Sequence, residues 1–332
     1  MEIAVQVGGE LSTSGEAGIE AMVAQAVLAE RLGFDAVFVP DHYVFEVNGQ
    51  LRPDLPAYDC FFALATLAQR TRHIRIGSHV ACLLFRHPAM TARLFAQVDE
   101  ASGGRVIAGV GAGWTRAEFA MMGIPFPDVS ERLRMLDEAV AIMRGLWRDE
   151  HTSFEGQHFR VTAAVCRPKP VQQPGPPLML GGGGNGILRR AGAWADIVHV
   201  IPALGRAGTL SPRTMAALTD QAFGAKLARV RAAAVAAGRP ADAVRAATTI
   251  FLYVPTRSPA ETQALAAQTA ETLGIDAPTL LHHPSALLGT ENEMVDELRR
   301  REATHGLSLL GIHFADAAQL ETFGESILPR MK

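Results

Sequence analysis

An aspartate followed by a histidine, Asp41-His42, stands where a short apolar run ends. Such a pair can supply a polar anchor and a group that exchanges protons near neutral pH. It can equally be an aspartate capping a turn beside a rim histidine. Farther along, Gly181-Gly182-Gly183-Gly184-Asn185-Gly186 separates another apolar run from an amphipathic stretch. Glycines there expose backbone N–H groups, and a helix starting behind them adds positive potential, which suits an anion such as phosphate. A flexible connector is the plainer alternative. A third stretch, Gly109-Val110-Gly111-Ala112-Gly113-Trp114, invites comparison with dinucleotide-binding turns. That fingerprint needs a helix opening at the glycines and an acid closing the next strand, and Trp114-Thr115-Arg116 followed by Pro125 supplies neither. These glycines are better suited to let the backbone lie close to a flat ring or a neighbouring strand.

What is missing matters as much. The sequence has no Gly-x-Ser-x-Gly elbow, no His-x-His in its first apolar run and no carboxylates at metal-ligand spacing. Neither a hydrolytic nucleophile nor a metal site is expected. A chain offering a ring platform and an anion cradle without its own reactive group points to a bound cofactor that brings the chemistry.

Those residues need a scaffold that carries them to one place. Short β-branched runs cover residues 3–7, 36–39, 74–80, 106–110, 178–180, 197–200, 247–254 and 308–313. Amphipathic stretches alternate with them at 19–32, 59–71, from Pro88 onward, 131–147, 186–195, 215–238, 259–273, 291–306 and 317–328. Gly33 ends the first helix and Pro88 opens the third, each at its favoured position. The alternation predicts parallel strands joined by helices. Eight such repeats predict an α/β fold of the (β/α)8 TIM-barrel kind, spanning residues 1–332 as one domain. A six-stranded doubly wound sheet is the alternative. In a barrel, the loops after the strands converge on one rim, which gathers the residues named above. Three interruptions stand out: a long loop at 43–58, a hairpin over 152–161 turning at Glu155-Gly156, and an irregular excursion at 202–212. Long loops in a compact barrel usually serve as lids or rims.

Composition narrows the partners. A net charge of −3 with no cluster of lysine or arginine argues against nucleic acid and anionic membranes. The three cysteines, Cys60, Cys82 and Cys166, are widely spaced and read as free thiols of a reducing compartment. No apolar run approaches the roughly 20 residues of a membrane span, and the N-terminus reads as a strand. A cytoplasmic enzyme acting on a small molecule is expected.

Taken together, several motifs resemble the luciferase-like monooxygenase superfamily, and most closely its actinobacterial branch of F420-dependent oxidoreductases. They are Asp41-His42, Arg86-His87-Pro88, Ser102-Gly103-Gly104-Arg105, Gly111-Ala112-Gly113-Trp114 with Glu118-Phe119, Gly123-Ile124-Pro125-Phe126, Gly145-Leu146-Trp147, Arg167-Pro168-Lys169-Pro170-Val171-Gln172, Pro176-Pro177 and the glycine run. The likeness extends from the N-terminus to about Asp196 and resumes from Gly289 to Ile312, while 215–273 carries little of it. It implies a luciferase-like barrel binding the deazaflavin coenzyme F420, with FMN as the alternative, and a homodimer. Asp41 and His42 would contact the deazaflavin, and His42 would exchange a proton near the hydride-bearing carbon. Ser78, His79 and Val80 would buttress the ring, with a non-proline cis peptide at His79-Val80. Gly181, Gly182, Gly183 and Gly184 would hold the cofactor phosphate, and Gly111 and Ala117 would lie against the cofactor. By their places in the motifs, Trp114 and Glu118 join His42 as candidate catalytic residues. The resemblance implies hydride transfer to or from a small organic substrate. The alternatives are an FMN-dependent, oxygen-using monooxygenase and a barrel that binds the cofactor without catalysis. The sugar-phosphate dehydrogenases of this branch carry Glu where Trp114 stands and Asn where Ala117 stands, a departure that disfavours a sugar-phosphate substrate. Phe45, Phe85, Trp114 and Phe126 are expected to line a dry pocket, and loops 44–56 and 203–212 to set the substrate.

Overall fold

The computed structural model describes residues 1–8, 18–47, 50–204 and 211–332. Gly9 and Glu10, the tip of the 43–58 loop and most of the 202–212 excursion therefore lie outside the described residues. Eight strands form the centre: β1 (Glu2–Gln6), β2 (Ala36–Val39), β3 (Arg75–Ser78), β4 (Val106–Gly111), β5 (Leu178–Gly181), β6 (Ile197–His199), β7 (Arg245–Ile250) and β8 (Leu307–Ile312). Each pairs in parallel with the next, and β8 pairs with β1. That last pairing closes the barrel. A doubly wound sheet would leave two open edges, so the alternative architecture is overturned.

Closure sorts the side chains by strand period. Alternate residues Ala4, Ala36, Phe38, Ile107, Met179, Ile197, Ala247 and Leu309 form one small cluster inside the barrel. The opposite faces join a larger core with the surrounding helices. The helices obey local rules. Gly33 and Gly103 terminate theirs in the left-handed conformation, at φ 86° and 69°. His87 caps the helix that Pro88 opens.

Four expectations about elements need correction. The run 74–80 is not one strand: β3 stops at Ser78, the His79–Val80 peptide is cis, and Ala81–Cys82 then pairs with the end of β4. The run 247–254 is also divided. β7 ends at Ile250, and Leu252–Pro255 leaves the barrel to pair with Ala286–Gly289, because the amides of Phe251 and Leu252 are both drawn to the Ser285 carbonyl. The helix expected over 215–238 is two, Pro212–Ala216 and Asp220–Ala236. Ser211 caps the first and Thr219 the second. Finally, the 43–58 loop contains a short antiparallel pair, Phe45–Val47 with Gln50–Arg52. The hairpin expected at 152–161 is present as Thr152–Glu155 and Arg160–Ala164.

Strands β3 and β4 lie in close contact at Gly109. A Cβ there would lie 1.9 Å from the Ser78 carbonyl oxygen, and the Ser78 hydroxyl donates to the Gly109 carbonyl at 2.6 Å. Since backbone cannot yield as a side chain does, Gly109→Ala is expected to destabilise the protein by about 3 kcal/mol. Urea unfolding checks this, and an unchanged midpoint would contradict such close contact between these strands.

Candidate functional site

Asp41 follows β2 and is buried, with its carboxylate fully engaged. Both Arg86 guanidinium nitrogens donate to it at 2.8 Å, and the Cys82 amide donates at 2.9 Å. Arg86 also reaches Asp59 at 2.5 Å, the cap of helix Cys60–Arg70, and lies over the Phe61 ring. Burial works against the Arg86 charge, yet the hydrogen bonds and charge of Asp41 outweigh it and hold the proton more firmly than usual. Asp41 therefore ties the turn after β2 to the segment that leaves β3. Its side chain braces the rim.

That turn presents the neighbouring His42. Its Nδ1 lies 3.0 and 3.1 Å from the two carboxylate oxygens of Glu118, whose side chain is buried. The same carboxylate accepts the Tyr43 amide at 2.7 Å and the Val44 amide at 3.4 Å. The contact fixes the orientation of the His42 ring against the Glu118 carboxylate. Trp114 stands edge-on to the His42 ring at 5.9 Å and Phe45 lies at 5.6 Å. Phe85 and Phe126 do not share this position. Both pack on buried Phe119, at 5.0 and 4.7 Å between ring centres, and support the loop from behind. Ala117 occupies the first turn of helix Arg116–Met121, next to Glu118.

The barrel floor beneath is shaped by strand period and by glycine. A Cβ on Gly111 would sit 2.8 Å from one Val80 methyl, and a Cβ on Gly181 2.9 Å from the other. Val80 thus occupies a notch between β4 and β5. These glycines make room for a side chain of the β3 bulge, and Ser78 turns its hydroxyl into the barrel wall. Three histidines surround this platform. His79 meets His199 at 4.0 Å between rings, His199 Nε2 contacts Thr249 Oγ1 at 2.9 Å, and His313 stacks on Phe251 at 5.3 Å. Burial pushes His79 down to about 4 and His199 well below its ordinary value. Burial, with the nearby His79, takes His313 down to about 3. All three are neutral imidazoles at physiological pH. Gln6, at the top of β1, adds a buried side-chain oxygen with no hydrogen-bond partner among the described residues.

At the glycine run the four residues divide. The Gly182 amide is consumed by the His199 carbonyl at 3.0 Å. Gly183 and Gly184 donate to nothing among the described residues, and helix Asn185–Trp194 begins without a side-chain cap. Lys226, remote in sequence, brings its ammonium to the Gly183 carbonyl. Open amides at a helix start are an anion cradle. Strand-end reading missed His199, His313 and Lys226. The first two could have been found by inspecting the ends of β6 and β8, whereas nothing local marks Lys226. Among the described residues no group of side chains is placed to hold a metal ion, and no helix is long and apolar enough to cross a membrane.

The family model described as luciferase-like monooxygenase matches residues 1–309. An F420-dependent glucose-6-phosphate dehydrogenase from Amycolatopsis mediterranei is 32% identical over 190 residues, covering 57% of this chain and 55% of that protein. The chain thus aligns with about half the length of the curated relatives it matches. Two solved structures superpose along nearly the whole chain. An F420-dependent secondary alcohol dehydrogenase bound to an F420–acetone adduct has TM-score 0.77 at 21% identity, covering 100% of this chain and 99% of that one. EDTA monooxygenase from Chelativorans sp. BNC1 has TM-score 0.78 at 20% identity, covering 99% and 92%. At such identities the superpositions speak to the fold alone.

Two measurements test the site's framework. Arg86→Ala strands the buried Asp41 carboxylate and is expected to cost about 3–5 kcal/mol in chemical unfolding, whereas a loss below about 1 kcal/mol would mean the pair is not load-sharing. The depressed histidines make a pH prediction. Between the unfolded value near 6.5 and the folded values of about 4 for His79 and about 3 for His313, only the unfolded chain takes up protons. Stability should therefore fall as pH drops from about 6.5 toward 4. A melting temperature that stays level across that window would contradict imidazoles held neutral in the fold.

Proposed function

We propose that this chain, which belongs to the luciferase-like monooxygenase family, passes a hydride between coenzyme F420 and a small organic substrate. The observation that carries the reading is one rim holding both the open amides of Gly183 and Gly184 and the His42–Glu118 pair. A phosphate fits the first and a reacting centre the second. The floor between them fits a flat, uncharged heterocycle: Val80 provides an apolar seat, and neutral imidazoles with the buried Gln6 oxygen, unpartnered among the described residues, offer hydrogen bonds without charge. When bound, the deazaflavin supplies the carbon that carries the hydride.

The protein's own part is positioning and proton management. Glu118 orients His42, so the imidazole can give or take the substrate proton. Trp114 and Phe45 flank that ring and exclude water. Asp41 acts through Arg86 by holding the turn. The curated relatives' names support F420 as cofactor. Their sugar phosphate is not adopted, since Trp114 and Ala117 replace the Glu and Asn of the resembling dehydrogenases. Three buried free thiols support a cytoplasmic setting, and we read the chain as one domain that forms a homodimer.

Titrating the purified protein with F420 and with FMN decides the cofactor, and oxygen consumption with reduced FMN exposes a monooxygenase. F420 should bind and FMN should not compete with it. Tight FMN binding with oxygen uptake would overturn the proposal in favour of flavin monooxygenation. His42→Ala should lower kcat about 10²–10⁴-fold, the usual weight of general acid–base catalysis, with cofactor Kd changed far less. Undiminished turnover would remove His42 from the chemistry.

A further inference from the structure

Where the chain leaves β7, a cavity opens beside the barrel mouth. Its walls come from the strand pair that stands off the barrel, Leu252–Pro255 with Ala286–Gly289, and from helices Pro212–Ala216, Pro259–Leu273 and Ala277–Leu281. The volume is about 500 Å³, within the range of sites that take small organic molecules. Met215, Leu252, Leu273 and Leu280 supply apolar surface, and no charged side chain lines the cavity among the described residues. An ion entering would shed its water without meeting a counter-charge, whereas an apolar group gains by leaving water.

Two buried polar residues shape the wall. His283 Nδ1 accepts the Ser285 amide at 3.1 Å, and its Nε2 contacts the Met215 carbonyl at 2.8 Å. Burial lowers the His283 pKa, so a neutral ring clips helix Pro212–Ala216 to the segment that carries Ser285. The Ser285 carbonyl is occupied by the Phe251 and Leu252 amides, at 2.9 and 3.2 Å. Its hydroxyl is buried with no hydrogen-bond partner among the described residues. A buried hydroxyl left unmet is costly, so an oxygen on a guest is favoured there.

Phe251 connects this cavity with the barrel floor. Its ring stacks on His313, one of the neutral imidazoles of the floor, at 5.3 Å between centres, and the same residue lines the cavity. We infer that the cavity seats the apolar arm of an uncharged substrate, with the Ser285 hydroxyl meeting an oxygen on that arm. The reacting carbonyl or alcohol then lies over the floor, and Phe251 is the wall common to both parts. The inference rests on the reading of a small organic substrate given above and narrows it to an uncharged molecule with a carbon chain.

Calorimetric titration with 2-butanone, 2-hexanone and 2-octanone tests it without using turnover. Affinity should rise about fourfold for each added methylene, the usual gain from burying one. Ala216→Trp and Thr272→Trp, which fill the cavity from two different helices, should each flatten that series and leave F420 binding unchanged. Ser285→Ala should weaken 8-hydroxy-2-octanone about fivefold, the worth of one hydrogen bond, and should not weaken 2-octanone. On the F420-loaded protein, 2-octanone should also change the deazaflavin fluorescence, because its carbonyl end reaches the floor. A chain-length slope that survives both tryptophan variants overturns the cavity assignment. Binding of 2-octanone that leaves the fluorescence of bound F420 untouched overturns the link between cavity and floor. Either result leaves the F420 reading standing. Failure of F420 to bind, with the slope present and lost in the tryptophan variants, overturns that reading and upholds the cavity.

Discussion

A closed ring of parallel strands allows each inward side chain only the space its neighbours leave, and that constraint governs everything above it. Low in the barrel the inward positions are apolar and mutually packed, from Ala4 and Ala36 to Leu309. One period higher, the same strands offer Gln6, Gly111, Gly181, His199 and Thr249. The change from filler to glycine and polar residue opens a shallow floor at the mouth. Val80 descends onto it because both adjacent strands lack a Cβ. A branched residue at Gly111 or Gly181 would displace the Val80 seat and tilt the β3 bulge, so a loss of shape there would reach any ring placed over it.

Around this floor, two carboxylates divide the labour. Asp41 is paired with a guanidinium, and burial makes that pairing hard to give up because either partner alone would be an uncompensated charge. It keeps the turn rigid. Among the described residues Glu118 pairs with no lysine or arginine; it accepts two backbone amides and faces the His42 ring, so its contacts fix how that ring is held.

Legibility in the sequence followed the range of the forces involved. The eight strands were readable because buried parallel strands are apolar runs, and their ends located Asp41, His42, His79 and the glycines together. Helix caps such as Gly33 and His87-Pro88 are local and were equally plain. The break after Ser78 was not readable from periodicity, since Ile74 to Val80 alternates acceptably either as one strand or as a strand and a bulge. Thr219 was hidden for a related reason: its neighbours are helix formers on both sides, and the cap shows only when its side chain takes the Ala222 amide. Trp114 and Phe45 stand against the His42 ring, while Phe85 and Phe126 pack on Phe119, a choice that side-chain packing makes and composition does not.

By itself, then, the order of residues determined an alternating α/β barrel and the rim on which its polar residues would meet. These follow from periodicity and residue type, which act over a few positions. Tertiary structure alone decided that Asp41 would spend its charge on Arg86, that Glu118 would orient His42 from 76 positions away, that Gly182 would lose its amide to His199, and that Lys226 would reach the Gly183 carbonyl. Each of those is a contact between segments far apart in the chain. Its energy depends on burial and distance, and neither exists until the barrel has closed.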